Sequence, residues 1–426
     1  MATTVTDRPG YGQLLRTPGA WTFLLPGFAA RQPFAMLTIG IVLLVQHTTG
    51  SYGSAGAVAA VAGVSMALVA PQGGKLADRF GQRAVLLPGV LLHAASGSAL
   101  VALALADAPL WALFAAAVPT GASVPQIGPM VRARWAAMLG ATPDRPASPL
   151  MSTAAAFESV TDEFTFVLGP VIATALCTGV HPAAGLITEA ALTLVGGLLF
   201  AAQRATEPTP RPAATAERPH TSALSVPGVR VLIVAFLGIG AVFGGMQVSL
   251  TAFTQEIGHP GMNGLLYGIF AAGNMLAGIV CGAVAWKSSP QRRLVVGYVA
   301  LTLMASGLWA VHSVPLLAGL GLLVGLCIAP ALISGYTLVE SLVPATARTE
   351  AFTWLTGAVA LGQAAAVTVA GQLADARGAS TGFLVPLAGT VLALATLLAL
   401  RSRLAPKSAG RTVARGIGHR EPVTVD

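Results

Sequence analysis

Three carboxylates fall within one apolar run, in Glu158-Ser159-Val160-Thr161-Asp162-Glu163, and an arginine, Arg31, interrupts another. Ionisable groups in runs of bilayer length are costly unless they pair, take up a proton or face water. On a helix Glu158 and Asp162, four apart, share a face, whereas Glu163 points about 100° away from Asp162. Arg31 lies about eleven residues into its run, roughly 17 Å along a helix at ~1.5 Å per residue. Glu163 lies about twelve residues into its own, so the two depths match. The chemistry open to such a set is proton exchange. Burial favours the neutral acid, a nearby guanidinium favours the carboxylate, and making or breaking the pair unloads or loads a proton. Blander readings stand beside it: Arg31 as a purely structural ion-pair member, and Glu158 and Asp162 as helix-start acids reaching the headgroups.

A second constellation is Gly74-Lys75-Leu76-Ala77-Asp78-Arg79-Phe80-Gly81-Gln82-Arg83, a glycine-and-charge turn between two long apolar runs. Each run is long enough to cross a bilayer as a helix. A short cationic connection between two spans reads as a tight cytoplasmic loop. At these spacings it resembles the signature loop between the second and third helices of the major facilitator superfamily of transporters. Gly74, Asp78, Arg79, Gly81 and Arg83 fill the defining positions. The resemblance implies a conformational latch: Asp78 opposite the positive N-terminal end of the eleventh helix, held by Arg79 or Arg83, with Gly74 and Gly81 giving close helix approach and a tight turn. A carboxylate so placed is worth roughly 0.3–1 kcal/mol exposed and up to about 2 partly buried. The alternative is that these charges only anchor two helix ends in the headgroups.

The elements that must position these groups are helices in lipid. Only 9% of residues are charged and 54% are hydrophobic, where a soluble domain carries about 25% charged residues. Span-length apolar segments fall at 20–46, 54–73, 84–106, 110–131, 151–177 and 183–203, then at 229–254, 263–286, 293–312, 315–339, 350–373 and 381–400. The expected fold is therefore an all-α membrane protein of about twelve transmembrane helices. The resemblance arranges them as two pseudo-symmetric six-helix bundles, over 1–203 and 229–400. Residues 204–228, with Glu207-Pro208-Thr209-Pro210-Arg211-Pro212, read as a cytoplasmic linker, and 401–426 as a disordered tail. No cleavable signal peptide is read at the N-terminus. With the termini cytoplasmic, all of the 24 basic residues except Arg31 and Arg377 fall on the inner side, as the positive-inside rule requires. That places the chain in the cell membrane.

Repetition between the halves is faint. The stretch Gly282 to Arg293 echoes the first loop in its leading glycine and trailing arginines, with Trp286 in place of the aspartate. Gly371-Gln372-Leu373-Ala374-Asp375 also looks similar, but the topology puts it on the outer side, where it reads as a chance likeness. Gly169-Pro170 in the fifth span partly matches the antiporter signature of the superfamily's drug exporters. The remaining glycines of that signature are absent, and Ala117 stands where many of those exporters have an arginine in the fourth helix. Gln247, Asn274 and Gln363 are candidates to line a cavity, each equally suited to an interhelical hydrogen bond. His93 reads as a satisfied core histidine, and Glu189 and Glu340 as lesser candidates near helix ends.

Several classes fall away. There is no nucleotide-binding G-x-x-x-x-G-K-[ST], no nucleophile triad and no metal-ligand spacing, so no enzyme and no cofactor is expected. The net charge of +8 belongs to the loops, so nucleic acid is not expected as a partner. Cys177, Cys281 and Cys327 read as packing residues. The expectation is a secondary transporter, working as a monomer with protons, lipid and a small-molecule substrate as partners. The favoured direction is proton-coupled export of a hydrophobic or amphipathic compound. A facilitator or importer of a polar metabolite is the rival within transport, and a membrane sensor without transport is the rival outside it.

Overall fold

A computed structural model describes residues 11–139, 148, 150–209, 222–283, 288–343 and 348–404. Within these, the side chains at 78, 152, 155, 156, 159, 163, 282, 283 and 348–350 stand outside the description. Among the described residues every regular element is helical. Helices are what lipid demands, because each satisfies its backbone polar groups within one segment.

After a short α1 (Tyr11–Leu15), the first bundle consists of α2 (Ala20–Thr49), α3 (Tyr52–Phe80), α4 (Gln82–Leu105), α5 (Leu110–Ala122) with α6 (Ile127–Leu139), α7 (Leu150–Gly179) and α8 (Ala184–Ala202). The second consists of α9 (Pro227–Glu256), α10 (Met262–Ala283), α11 (Pro290–Leu308), α12 (Val314–Leu342), α13 (Arg348–Arg377) and the pair α14 (Ala379–Gly382) and α15 (Leu384–Ala399). Among the described residues, eleven helical segments are long and apolar enough to cross a membrane. With α11, whose first turn carries Arg292 and Arg293, they complete the twelve.

Four readings of the sequence are corrected. First, α3 runs on to Phe80, so Gly74 to Phe80 are helical and the turn itself shrinks to Gly81, at φ +92°. Second, the fourth span is two helices. Prolines at 119, 125 and 129 interrupt its backbone ladder, and 123–126 are unwound, because proline offers no N–H and crowds the preceding turn. Below the break α6 carries Arg132, Arg134 and Trp135 in a helix where the sequence suggested a loop. Third, Arg401–Leu404 form a turn whose Leu404 is buried, so the chain stays ordered past 400. Fourth, the linker expected over 204–228 begins with a turn at Arg204–Thr206 and gives way to α9 at Pro227. Its residues 210–221 and the tail from 405 lie outside the described residues.

The two bundles come into close contact at one end. One face holds both ends of the described chain: a Cβ at Gly19 would touch Thr206, and one at Gly228 would meet the Arg403 carbonyl. On the opposite, distal face α3 and α13 run antiparallel with their backbones in contact. A Cβ at Gly56 would sit 2.5 Å from the Val367 carbonyl oxygen, and one at Gly371 would sit 2.4 Å from that of Tyr52. Only glycine permits this approach. Toward the terminal face, Gly73 and Gly74 on α3 and Gly357 on α13 have nothing within 4 Å of such a Cβ. Among the described residues, the close glycine contacts between α3 and α13 thus cluster toward the distal end.

Candidate functional site

Arg31, in the first half of α2, is the centre of a buried charge cluster. Its Nη2 donates to Glu158 Oε2 at 2.6 Å, and its Nη1 lies 2.9 Å from Asp162 Oδ1. Asp162 Oδ2 accepts a short hydrogen bond from Arg132 Nη2 on α6. Glu158 Oε1 accepts the indole N–H of Trp135 at 3.0 Å. Two cations and two anions on three helices thus compensate one another. Arg31 and Glu158 are 6% and 1% exposed, whereas Asp162 and Arg132 are 30% and 44% exposed. Glu158 is therefore the sealed member of the cluster, and Asp162 is the member open to water.

The local sequence explains the placement. Glu158, Asp162, Thr165 and Gly169 are spaced by four, three and four, which is one stripe of a helix. That stripe faces α2: Thr165 Oγ1 accepts from Gln32 Nε2 at 3.3 Å, and a Cβ at Gly169 would sit 2.6 Å from that of Ala35. Gly169 thus allows α2 and α7 to touch, and Pro170 turns its carbonyl toward Gly264 of α10. The depth match between Arg31 and Glu163 favoured a different partner. Helical side chains lean toward the N-terminus, and the long arginine reaches back to the level of Glu158 and Asp162. Glu163 itself, one position off the stripe, has its side chain outside the described residues.

A cavity of about 320 Å³ lies against the cluster, lined by Arg31, Phe34, Gln126, Arg132, Asp162, Phe166 and, from the second bundle, Thr356 among others. Phe34 and Phe166 meet edge to face at 5.8 Å. A Cβ at Gly128 would approach Asp162, Arg132 and the Arg31 Nε, and that Nε has no hydrogen-bond partner among the described residues. A second cavity of about 300 Å³ reaches the other side of Arg31 and Glu158 between Trp21, Leu25, Phe28, Val160 and Phe164. Polar charges at the back of aromatic walls suit a ligand that is mostly apolar.

Gln247, Asn274 and Gln363 do not line the cavity beside the cluster. Gln363 Nε2 reaches Gln247 Oε1 at 3.5 Å, and Asn274 lies on α10 where a Cβ at Gly325 of α12 would meet its backbone N–H. At the loop of the second constellation, Gly81 supplies the turn. The guanidinium of Arg79 lies 5.0 Å over the Phe80 ring, and the Arg83 N–H donates to Glu207 Oε1 at 2.8 Å. The Asp78 side chain lies outside the described residues.

Sequence reasoning missed two groups and left the partner of His93 unnamed. Arg132 and Arg134 were assigned to a loop by their charge. Arg134 is fully buried instead, donating to Gln82 Oε1, Thr206 Oγ1 and the carbonyls of Phe200 and Gln203, with its guanidinium 3.8 Å over the Phe200 ring. It caps the negative C-terminal end of α8. Glu189 pairs with His93 inside the first bundle, Oε1 to Nε2 at 2.7 Å, while His93 Nδ1 lies 2.9 Å from the Thr120 carbonyl. That carbonyl can only accept, so Nδ1 carries the hydrogen.

Known proteins agree with this architecture. No curated protein matches the chain. Among solved structures, the nucleoside transporter NupG aligns with 92% of this chain and 100% of its own at a TM-score of 0.69 and 14% identity. A bacterial homologue of the iron transporter ferroportin, in an inward-facing state, aligns with 91% of this chain and 98% of its own at 0.67 and 18%. The POT family transporter PepTSo aligns over 91% and 98% at 0.64 and 12%. Identities this low speak for the fold alone. The family profile described as Major Facilitator Superfamily matches residues 24–310. The chain belongs to the Major Facilitator Superfamily, as a multi-pass membrane transporter rather than an enzyme.

Proposed function

We propose that the protein exports a hydrophobic or amphipathic small molecule in exchange for protons, by alternating access of a cavity between its two bundles. The observation that carries this reading is Asp162, a carboxylate shared by two arginines and partly exposed at the cavity wall. A proton arriving there cancels one negative charge in a balanced set of four. Arg132, the more exposed cation, is released, while Arg31 keeps Glu158. The cost of the released cation is relieved when the cavity closes around a different partner or opens to other water. Such a swap biases two states that differ by a few kcal/mol. The proton then leaves from the other side, and the arginines reclaim the carboxylate. Aromatic walls at Phe34 and Phe166 favour an apolar cargo over a sugar or a polyanion.

The orientation follows the arginine distribution. By it the termini face the cytoplasm; the cell membrane as location and a single chain as working unit are further parts of the proposal. The partial Gly169-Pro170 signature supports export over uptake. Reconstituted protein in liposomes, given an imposed pH gradient and a panel of lipophilic cations, neutral amphiphiles and polar metabolites, tests this. Gradient-driven accumulation of the amphiphiles is expected. Accumulation of a polar metabolite alone, or movement indifferent to the gradient, overturns the reading.

A further inference from the structure

The likeness between the two glycine-aspartate stretches extends further than their first five residues. Gly74-Lys75-Leu76-Ala77-Asp78-Arg79-Phe80-Gly81 and Gly371-Gln372-Leu373-Ala374-Asp375-Ala376-Arg377-Gly378 share the pattern G-x-L-A-D-x-x-G. The first closes α3 and the second closes α13. Both end identically in backbone terms. Gly81 and Gly378 have φ of +92° and +89°, in a region that L side chains rarely adopt. Each donates its N–H back to the alanine of its own pattern, at 2.9 Å.

At the second copy the carboxylate is engaged. Asp375 Oδ2 accepts from the Ser51 hydroxyl at 2.7 Å and from the Gly53 N–H at 2.7 Å, and its Oδ1 accepts from the Tyr52 N–H at 2.8 Å. The Tyr52 and Gly53 N–H groups belong to the first turn of α3, where backbone donors have no partner inside their own helix, and Ser51 is its N-cap. A carboxylate from the second bundle therefore caps a helix of the first, at the positive end of its dipole. The cap lies on the distal face. Around it Gly53, Gly56 and Gly371 bring the two backbones together, and Gln255 on α9 donates to Gln46 on α2 at 3.1 Å. Because α3 and α13 are antiparallel, the C-terminal end of each lies on the same face as the N-terminal start of the other. The pattern that ends in Asp78 therefore falls on the face where α13 begins, as the pattern that ends in Asp375 falls on the face where α3 begins.

We infer that Asp375 is a distal latch reciprocal to the terminal-face latch at Asp78, holding the cavity shut on the distal side while it is open on the terminal side. The inference rests on the alternating-access reading above. One aspartate engages its helix start only when the other has let go, so that the pair of identical caps sets the balance between the two access states. Chance likeness does not account for a carboxylate that takes three bonds from the other bundle, nor for the shared glycine conformation.

The test uses full-length protein in nanodiscs, with the three native cysteines replaced by alanine and Val367→Cys as reporter. Val367 is buried at the distal contact beside Gly56, so a water-soluble maleimide reaches it when the distal side opens. Asp375→Asn is expected to raise the labelling rate about 2- to 30-fold, the range for losing a carboxylate at a helix start. Asp78→Asn is expected to leave it equal or lower, and the double variant to fall between. Should Asp375→Asn fail to insert, Ser51→Ala removes one of the three bonds and is expected to raise labelling by a smaller factor. Unchanged labelling in Asp375→Asn, or an equal rise in Asp78→Asn, overturns the latch while leaving alternating access intact. Labelling that stays at background in every variant, at acid and at neutral pH alike, overturns alternating access and the latch together.

Discussion

Removing Arg31 strands Glu158, and the two carboxylates on its stripe respond differently to that loss. In Arg31→Leu the Glu158 carboxylate, 1% exposed, retains only the Trp135 indole N–H among the described residues. Breaking a buried ion pair by deleting one partner costs about 3–5 kcal/mol, because an uncompensated charge remains. Asp162 in the same variant keeps Arg132 and its contact with water, which places its share nearer the roughly 0–1 kcal/mol of an exposed pair. Adding Glu158→Gln removes the stranded charge while keeping an acceptor for Trp135, so most of the loss is recovered. Adding Asp162→Asn recovers nothing and frees Arg132 as well. A double-mutant cycle read by SDS titration in mixed micelles, with tryptophan fluorescence as the signal, measures this. The coupling between positions 31 and 158 is expected to exceed about 2 kcal/mol and that between 31 and 162 to stay below about 1. A Glu158→Gln change that rescues nothing, or an Asp162→Asn change that rescues as well, refutes the division into a sealed and an open carboxylate.

Three further outcomes are expected. Gly81→Ala forces a side chain into a glycine-only conformation and should cost about 1–3 kcal/mol, seen as earlier unfolding in the same titration with both neighbouring helices still inserted. Arg134→Lys keeps the charge but cannot span Gln82, Thr206 and two carbonyls at once, so it should lower stability by about 1–3 kcal/mol; a neutral result contradicts the capping role. A single cysteine at Arg377 should react with an impermeant reagent on intact cells, and one at Arg211 only after permeabilisation; the reverse pattern inverts the proposed orientation.

The helices were legible because lipid imposes length and apolarity on each span, and the pattern around Gly74 carried the family. The pairing of Arg31 with the fifth span was also legible, since a buried guanidinium needs an anion. The choice among three carboxylates was not. Counting residues from the start of each span treats side chains as level with their own Cα, and an arginine reaches several ångströms toward the helix start. The spacing of Glu158, Asp162, Thr165 and Gly169 held the better signal, a polar and small stripe of one face. Arg132 and Arg134 were hidden for a different reason. Charge and proline end a hydropathy run, yet a helix resumes after the break when its arginines find acceptors inside the bundle. Asp375 was passed over because topology put it on the side where no latch was sought, although its spacing matched that of Asp78 throughout.

The central claim is that protons drive the cargo through Asp162, and proton movement itself tests it most directly. Liposomes loaded with a pH-sensitive dye, holding either the wild-type protein or Asp162→Asn, are presented with an amphipathic substrate identified in the gradient screen. Substrate addition is expected to move protons in the opposite direction in the wild type. In Asp162→Asn that movement is lost while gradient-independent exchange of labelled for unlabelled substrate survives. Proton movement that persists in Asp162→Asn and disappears in Glu163→Gln would contradict that claim, placing the exchange on the neighbouring carboxylate.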